Sequence, residues 1–184
     1  MQIVIANDYL QVAISTLGAE LQSIKNTAGL EYLWQGDTTY WRRRAPNIFP
    51  YVGRLTEGRY QYHGMEYQLP IHGFLPAAKL NIIEQNESGA VFELIADEET
   101  RKIYPFEFIY QVQYELNDNC LQVTYQVNNE GNQSMYFGLG GHPGFNLPLE
   151  NDSRFEEYYL EFEHACNPKR IGFTADCYLD GSRI

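Results

Sequence analysis

The chain has 184 residues, of which 44% are hydrophobic and 20% charged, a composition that is typical of a folded domain and excludes a disordered chain. This length is enough for one domain with a sizeable core. With 24 acidic and 13 basic residues the formal net charge is −11, so nucleic acid and anionic membranes are not predicted as partners.

Short β-strands joined by turns are the first elements predicted along the chain. Alternating apolar residues predict a strand at 10–14. Three weak hairpins follow, each with two arms around a turn: 19–24 and 30–34 around 26–29, 59–62 and 66–69 around His63-Gly64, and 80–83 and 91–95 around 86–89. His63 is therefore predicted to be a surface turn residue without a chemical role.

A brief helix and a long hairpin come next. The helix is predicted over 97–103 and ends before Pro105, which has no backbone N–H to donate. Apolar and polar side chains then alternate over 106–116 and again over 121–127, on either side of the turn-forming triplet 117–119. This period of two predicts an antiparallel hairpin with one buried face. Together the strands predict an all-β sandwich, with a single domain over 1–184.

The cysteines and the N-terminus indicate a protein of the cytoplasm. Cys120, Cys166 and Cys177 are widely spaced and contain no C-x-x-C pair, so neither a disulfide framework nor a zinc site is predicted. The first eight residues have no basic region and no long apolar run, so no signal peptide is expected. No apolar run reaches the length of a membrane span.

Two of the four histidines lie in glycine-framed loops with an aromatic residue at the end, Ile71-His72-Gly73-Phe74 and 140–145. Imidazole is the side chain best suited to move a proton near neutral pH, and glycine lets the backbone approach a ligand closely. The alternative for each is a surface or core histidine whose hydrogen bonds are formed and which has no chemical role. The presence of two such loops in one chain argues against this alternative. The sequence contains no P-loop, no dinucleotide fingerprint, no HExxH and no GxSxG, and His72 and His142 have no neighbouring ligands for a metal. No cofactor and no metal are predicted.

The segment 41–55 combines arginines with aromatic residues. Arg42, Arg43 and Arg44 are adjacent and cannot all face one ligand from an extended strand, so they are interpreted as a solvated strand end or as partners for carboxylates. A phosphate ligand is the alternative for this run. Arg54 follows Gly53, and its guanidinium can donate two parallel hydrogen bonds to sugar hydroxyls. The candidates for stacking on a sugar are Trp34, Trp41 and Phe145, and at least one of them is expected to pack in the core.

Five blocks in this order and spacing resemble the aldose 1-epimerase (galactose mutarotase) family, and within it the branch that includes the LacX-type proteins. The blocks are 46–55, 67–74, 104–106, 128–131 and 141–145. The resemblance covers nearly the whole chain. It implies a β-supersandwich fold and cofactor-free interconversion of the α- and β-anomers of a free aldose, with galactose, glucose or a hexose phosphate as the small-molecule partner.

The resemblance also implies roles for particular residues. In the family, a carboxylate base takes the proton from the anomeric hydroxyl while a histidine protonates the ring oxygen, and the opened ring recloses as the other anomer. By motif match His142 is the general acid, His72 assists it near the ring oxygen, and Arg54 binds hydroxyls. Trp41 and Phe145 remain candidates for sugar contact. One departure is Pro76, where relatives often carry a basic residue.

The base is the larger departure, because the family glutamate and a binding aspartate fall beyond position 184. The segment 158–162 is predicted as a strand with Glu161 and Glu163 on its solvent face, so neither these nor Glu157 is nominated as the base. Three hypotheses remain open at this point. The chain is an epimerase, a sugar-binding homologue without the base, or an incomplete sandwich that covers its open strand edges by self-association.

Overall fold

The computed structural model describes residues 1–149, 152–161, 163, 169–175 and 178–183. One α-helix, α1 (Glu98–Ile103), lies in this part of the chain. The strands in chain order are β1 (Gln2–Ala6), β2 (Leu10–Ser15), β3 (Leu21–Asn26), β4 (Asn47–Ile48), β5 (Arg59–Tyr62), β6 (Met65–Gln68), β7 (Asn81–Gln85), β8 (Gly89–Ile95), β9 (Phe108–Asn117), β10 (Cys120–Asn129), β11 (Gly140–Gly141), β12 (Ile171–Phe173) and β13 (Leu179–Arg183). None of the helices in this part has the length and apolarity that a membrane crossing requires.

Two antiparallel sheets carry most of the structure, as expected for an all-β sandwich. The larger has the order β10-β9-β8-β7, and the smaller has the order β1-β2-β3. Three two-stranded pairs, β11-β4, β12-β13 and β5-β6, complete the described topology. The predicted all-β fold class is therefore confirmed.

The long predicted hairpin is formed by β9 and β10. Their register runs without a shift from Asn117 opposite Cys120 to Phe108 opposite Asn129. Every second residue of β9 from Phe108 to Leu116 is buried, because side chains alternate between the two faces of a strand. The equivalent residues of β10 are only half-buried. One face of this sheet is therefore apolar, and its residues are less buried on β10 than on β9.

Two of the weaker hairpins and the short helix are also confirmed. The β5–β6 and β7–β8 pairs form around the predicted turns, and His63 lies exposed in the first of them with a φ of 48°. Asp97 caps α1, because its carboxylate accepts a hydrogen bond from the Thr100 amide. That backbone hydrogen bond lowers the pKa of Asp97. The helix ends at Ile103, with Tyr104 as the C-cap before the proline.

Two strand predictions are wrong. The arm predicted over 30–34 forms only two isolated β-bridges. Glu31 pairs with Lys25, and Leu33 pairs with Phe145 from a distant loop. The strand predicted over 158–162 is coil over its described residues 158–161, and Leu160 is 88% exposed. Alternation alone does not make a strand when no neighbour supplies the backbone hydrogen bonds. Residue 162 lies outside the described residues.

The structure describes one of the three cysteines. Cys120 is an exposed free thiol, whereas Cys166 and Cys177 lie outside the described residues.

An aromatic cluster at the centre of the core fixes the loops that follow β4. Phe49 is fully buried, and its ring centroid lies 5.1–5.9 Å from those of Phe74, Tyr104, Phe108, Tyr110 and Phe137. Burying a side chain of this size contributes about 1.5–3 kcal/mol. Because Phe49 also pairs with Gly73 through the backbone, the same core residue anchors the loop of His72.

Candidate functional site

The loop that carries His72 is held in an uncommon backbone conformation. His72 has a φ of 66° and Gly73 a φ of 73°, both in the left-handed region. A Cβ at position 73 would lie 2.1 Å from the carbonyl oxygen of Phe49, so only glycine fits there. A non-glycine residue such as His72 in this region costs about 1–3 kcal/mol, and residues of this kind cluster at functional sites.

Two hydrogen bonds join His72 to Gly53 and determine where its imidazole carries a proton. The His72 amide donates to the Gly53 carbonyl at 2.8 Å. The Gly53 amide donates to Nδ1 of His72 at 3.3 Å. Because Nδ1 accepts, the neutral ring keeps its proton on Nε2 and can donate it to a ligand. Burial, and then the neighbouring His142, lowers the pKa of His72, which favours this neutral state.

His142 follows a two-residue strand that is fixed to the segment before the core. Gly140 and Gly141 of β11 pair with Ile48 and Asn47 of β4. The His142 amide donates to the Pro46 carbonyl at 3.0 Å. The side chain is exposed, so the backbone is anchored while the imidazole stays open to solvent and to a ligand.

The structure brings three of the predicted site residues together. The ring centroids of His72 and His142 lie 5.4 Å apart, with the rings edge to face at 74°. The ring of Trp41 lies 5.0 Å from that of His142. The two histidines are 70 positions apart in the chain, so this group of three rings exists only in the folded protein.

Arg54 follows Gly53, the residue that hydrogen-bonds His72. Its exposed side chain lines an open groove of about 820 Å³ together with Glu57, Pro70, Ile71 and Tyr178. Because Gly53 is the residue that hydrogen-bonds His72, the groove adjoins the His72 loop. A groove of this size is within the range of small-ligand sites, about 300–1,000 Å³.

Phe145 is not brought to the histidines. Its backbone pairs with Leu33, its side chain is 60% exposed, and it lines a different groove with Tyr9, Tyr32 and Leu121. The preceding Gly144 packs closely against both tryptophans, because a Cβ there would lie 3.0 Å from atoms of Trp34 and Trp41.

Trp34 holds two segments of the site together through hydrogen bonds. Its indole N–H donates to the Trp41 carbonyl at 2.7 Å, and its amide donates to the Gly144 carbonyl at 2.9 Å. Trp34 therefore joins the segment of Trp41 to the loop of His142. A bracing role of this kind fits the expectation that at least one of the aromatic candidates is a packing residue.

The arginine run before Ala45 is largely engaged within the chain. Arg43 lies 3.5 Å from the carboxylate of Glu20 and donates to the Pro76 carbonyl. Arg44 donates to the side chain of Gln22 at 2.7 Å. Arg42 is exposed. Arg43 therefore pairs with a carboxylate, as one interpretation of the sequence expects, and Arg44 pairs with a side-chain amide of β3.

Asn47 is a central residue that the sequence did not reveal. It is 2% exposed, and its amide nitrogen donates to the carbonyls of Gly18 and Ala19, each at 3.0 Å. Its side-chain oxygen accepts a hydrogen bond of 2.8 Å from the hydroxyl of Tyr125 on β10. Since Asn47 also pairs with Gly141, it ties both sheets to the strand before His142. Only contacts across 28 to 94 positions identify this role, and no local signal carries it.

The described residues contain no partner carboxylate for the histidines. No ion pair among them involves His72 or His142, and no group of three or more His, Cys, Asp or Glu residues there is arranged to hold a metal ion. Glu157 pairs with Arg154 at 3.3 Å, and Glu161 and Glu163 are exposed. The described part of this site therefore has two imidazoles and no carboxylate paired with either of them.

Comparison with known proteins identifies relatives over almost the full chain. The family profile described as "Aldose 1-epimerase" matches residues 1–170. "Protein LacX, plasmid" of Lactococcus lactis subsp. lactis is 37% identical over 168 residues, which cover 88% of this chain and 56% of that protein.

Two solved structures share the fold. A galactose mutarotase related enzyme from Lactobacillus acidophilus has 39% sequence identity and a TM-score of 0.92, over 98% of this chain and 60% of that one. A galactose mutarotase-like protein from Lactobacillus casei has 36% identity and a TM-score of 0.90, over 100% of this chain and 63% of that one. The chain spans less than two thirds of the length of each of these relatives.

Proposed function

The chain belongs to the aldose 1-epimerase family, and from this premise we propose that it interconverts the α- and β-anomers of a free aldose by general acid–base ring opening. The observation that carries the proposal is the grouping of His72, His142 and Trp41, with the rings of the two histidines 5.4 Å apart. Two imidazoles at this separation can hydrogen-bond to the ring oxygen and to an adjacent oxygen of one sugar.

In the proposed reaction His142 is the general acid. Its imidazole is exposed and can exchange protons with solvent between turnovers. It donates a proton to the ring oxygen as the bond between that oxygen and the anomeric carbon breaks. A positioned general acid contributes typically about 10²–10⁴-fold to a rate.

His72 has a different role, because its Nδ1 already accepts the hydrogen bond of Gly53. Its neutral ring presents Nε2–H to the sugar and holds it in register with His142. Arg54 donates hydrogen bonds to hydroxyls from the neighbouring groove, and Trp41 provides an apolar ring beside His142. Phe145 lines another groove and takes no part in this arrangement.

The reaction also needs a carboxylate that accepts the proton of the anomeric hydroxyl. The family resemblance implies a glutamate from a region of the longer relatives that this chain does not match. We therefore assign none of the acidic residues of this chain to that step. The proposed partner is a free hexose such as galactose or glucose, with a hexose phosphate as the alternative, and the proposed location is the cytoplasm without a cofactor.

A second candidate function is sugar binding without catalysis. It is favoured by the finding that no described carboxylate pairs with either histidine. Arg54, His72 and His142 would then hold the sugar by hydrogen bonds, and the anomers would exchange only at the solvent rate.

Polarimetry of freshly dissolved α-glucose and α-galactose tests the first function. The chain should accelerate the approach to rotational equilibrium over buffer, and His142→Gln should lose about 10²–10⁴-fold of that acceleration. His63→Asn is the matched control, because His63 is exposed at a left-handed turn position that asparagine tolerates. A rate equal to buffer at high protein concentration would refute the catalytic proposal.

Calorimetry with the same sugars separates the two functions. Heat of binding that Arg54→Gln abolishes, without any acceleration in the polarimeter, would establish the binding function instead. Absence of both heat and acceleration would reject both.

A further inference from the structure

One buried carboxylate beside the smaller sheet has no part in the proposed reaction. Glu20 lies one position before β3 and is 7% exposed. A buried carboxylate is costly unless it is paired with a positive charge and its oxygens accept hydrogen bonds. Among the described residues, the groups that bind the side chain of Glu20 all belong to the segment 43–45.

Both oxygens of the Glu20 carboxylate are engaged by this segment. Oε1 accepts hydrogen bonds from the backbone amides of Arg44 at 2.9 Å and of Ala45 at 3.1 Å. Oε2 lies 3.5 Å from the guanidinium of Arg43. An ionised carboxylate only accepts hydrogen bonds and has about four lone-pair sites, so it can serve all three groups at once. Glu20 thus fixes both the backbone of this segment and the direction of the Arg43 side chain.

The carbonyls of the same segment hold the loop of His142. The Arg44 carbonyl accepts the Gly144 amide at 2.8 Å, and the Pro46 carbonyl accepts the His142 amide at 3.0 Å. The amides of the segment therefore bind Glu20, while its carbonyls bind the loop. A displacement of the segment would move the backbone of His142 directly, without a contact between Glu20 and the imidazole.

Arg43 extends the contact of Glu20 to the chain that follows His72. Its guanidinium donates to the Pro76 carbonyl at 3.1 Å, four residues after His72. The turn before Glu20 packs against the same place, since a Cβ on Gly18 would lie 3.2 Å from atoms of Pro76. Glu20 is therefore connected to both histidine loops, to one through backbone amides and to the other through a guanidinium.

We propose that Glu20 is a positioning residue that sets the separation of the two imidazoles. It fixes the loop of His142 through the backbone amides that it accepts, and it fixes the loop of His72 through Arg43. This assignment rests on the proposed function, in which both imidazoles contact one sugar. A displacement of about 1 Å at such a site can cost about 10²-fold in rate, so a buried group that never contacts the sugar can control the reaction.

Nuclear magnetic resonance of the full chain tests the positioning without any sugar. The nuclear Overhauser effect between ring protons of His72 and His142 reports their separation, because the ring centroids lie 5.4 Å apart. Glu20→Gln replaces one acceptor oxygen by an amide group that only donates. In either orientation of that amide, Arg43 or the two backbone amides lose their acceptor. The nuclear Overhauser effect between the imidazoles should therefore weaken.

Glu31→Gln is the matched control for this substitution. One oxygen of Glu31 accepts two backbone amides, and the other accepts the hydroxyl of Ser23. The same number of hydrogen-bonding groups is therefore affected, but these three lie outside the segment 43–46. Glu31→Gln should leave the nuclear Overhauser effect between the two imidazoles unchanged.

Arg43→Met is the second variant, because loss of a partner for a buried charge at Glu20 also destabilises the fold. It keeps the apolar stem of a partly exposed side chain and removes the guanidinium. It should weaken the nuclear Overhauser effect, and the double variant with Glu20→Gln should weaken it no further than the stronger single variant, because both changes cut one connection. Arg42→Met, at the exposed neighbouring position, should leave it unchanged.

Two results in these spectra overturn the proposal. One is a nuclear Overhauser effect of wild-type strength in both Glu20→Gln and Arg43→Met. The other is an equal weakening in the control Glu31→Gln. Either result would show that the separation of the imidazoles does not depend on Glu20.

Polarimetry measures the catalytic consequence separately. Glu20→Gln should lower kcat by about 10–10²-fold and leave KM unchanged, because Arg54 lies outside the segment that Glu20 holds. An unchanged kcat together with separated imidazoles would overturn the positioning role. A wild-type chain that does not accelerate the reaction, with spectra that respond as expected, would refute the proposed function and uphold the control of the ring separation by Glu20.

Discussion

The loop that carries His72 is strained and enclosed, whereas the loop that carries His142 is relaxed and open. His72 and Gly73 both have a positive φ, and none of the residues from 140 to 145 has one. His72 is half-buried with Nδ1 bound to Gly53, and His142 is exposed and fixed only through its backbone. The difference is consistent with the two roles proposed above, in which His72 is a fixed, neutral hydrogen-bond donor and His142 is the general acid.

The largest effect on the free energy of unfolding is expected from a substitution in the strained loop. Gly73→Ala forces a Cβ into the Phe49 carbonyl at 2.1 Å in a backbone conformation that alanine avoids, and should lower the free energy of unfolding by about 3 kcal/mol. Urea denaturation followed by circular dichroism measures this change.

The matched control for that change lies in the relaxed loop. Gly140 has no positive φ and nothing within 4 Å of an added Cβ, so Gly140→Ala should change the free energy of unfolding by less than about 0.5 kcal/mol. Equal destabilisation by the two variants would contradict the proposed difference between the loops.

An intermediate effect is expected from the residue that anchors the open loop. Asn47→Ala leaves the carbonyl of Gly18 without its buried donor and the hydroxyl of Tyr125 without its acceptor. It should cost about 2 kcal/mol, and the carbonyl of Ala19 keeps the hydrogen bond from the Tyr114 hydroxyl. Because Asn47 pairs with Gly141, the nuclear magnetic resonance signals of His142 should shift more than those of His63.

Tyr125→Phe provides a milder version of the same test. It removes one hydrogen bond and keeps the ring, so it should cost about 1 kcal/mol. A variant at Asn47 that leaves the signals of His142 unchanged would refute its role as the anchor of that loop.

The smallest expected effect is a pH dependence that belongs to the enclosed histidine. The pKa of His72 lies below its ordinary value of 6.5, because burial and then His142 disfavour the imidazolium. Between the folded and the unfolded pKa of His72 the unfolded chain binds more protons at this residue. The contribution of His72 to the free energy of unfolding should therefore fall as the pH drops below 6.5 and be constant above it.

Denaturation at several pH values with the variant His72→Gln isolates this contribution. The substitution should remove the part of the pH dependence that comes from His72, and His63→Gln should leave that part in place. Direct titration by nuclear magnetic resonance is the second measurement, and a pKa of His72 above 6.5 would contradict the neutral-donor role.

Much of the local structure was predictable because its causes are local. The turn residues between β9 and β10 and the alternation on either side specify a hairpin within one short segment. The carboxylate of Asp97 and the amide of Thr100 specify a helix start in the same way. The segment 158–161 alternates too, yet it is coil, since a strand also needs a neighbour that the segment cannot provide for itself.

The sequence by itself determined the all-β class, the family and the two glycine-framed histidines, because alternation, turn chemistry and ordered motif blocks are all written in neighbouring residues. Only the tertiary structure decided that Trp41 joins the histidines while Phe145 does not, and that Asn47 anchors the second loop. These outcomes depend on contacts between residues tens of positions apart. The burial of Phe49, which fixes one loop through Gly73, and the pairing of β4 with β11, which fixes the other, bring those residues together.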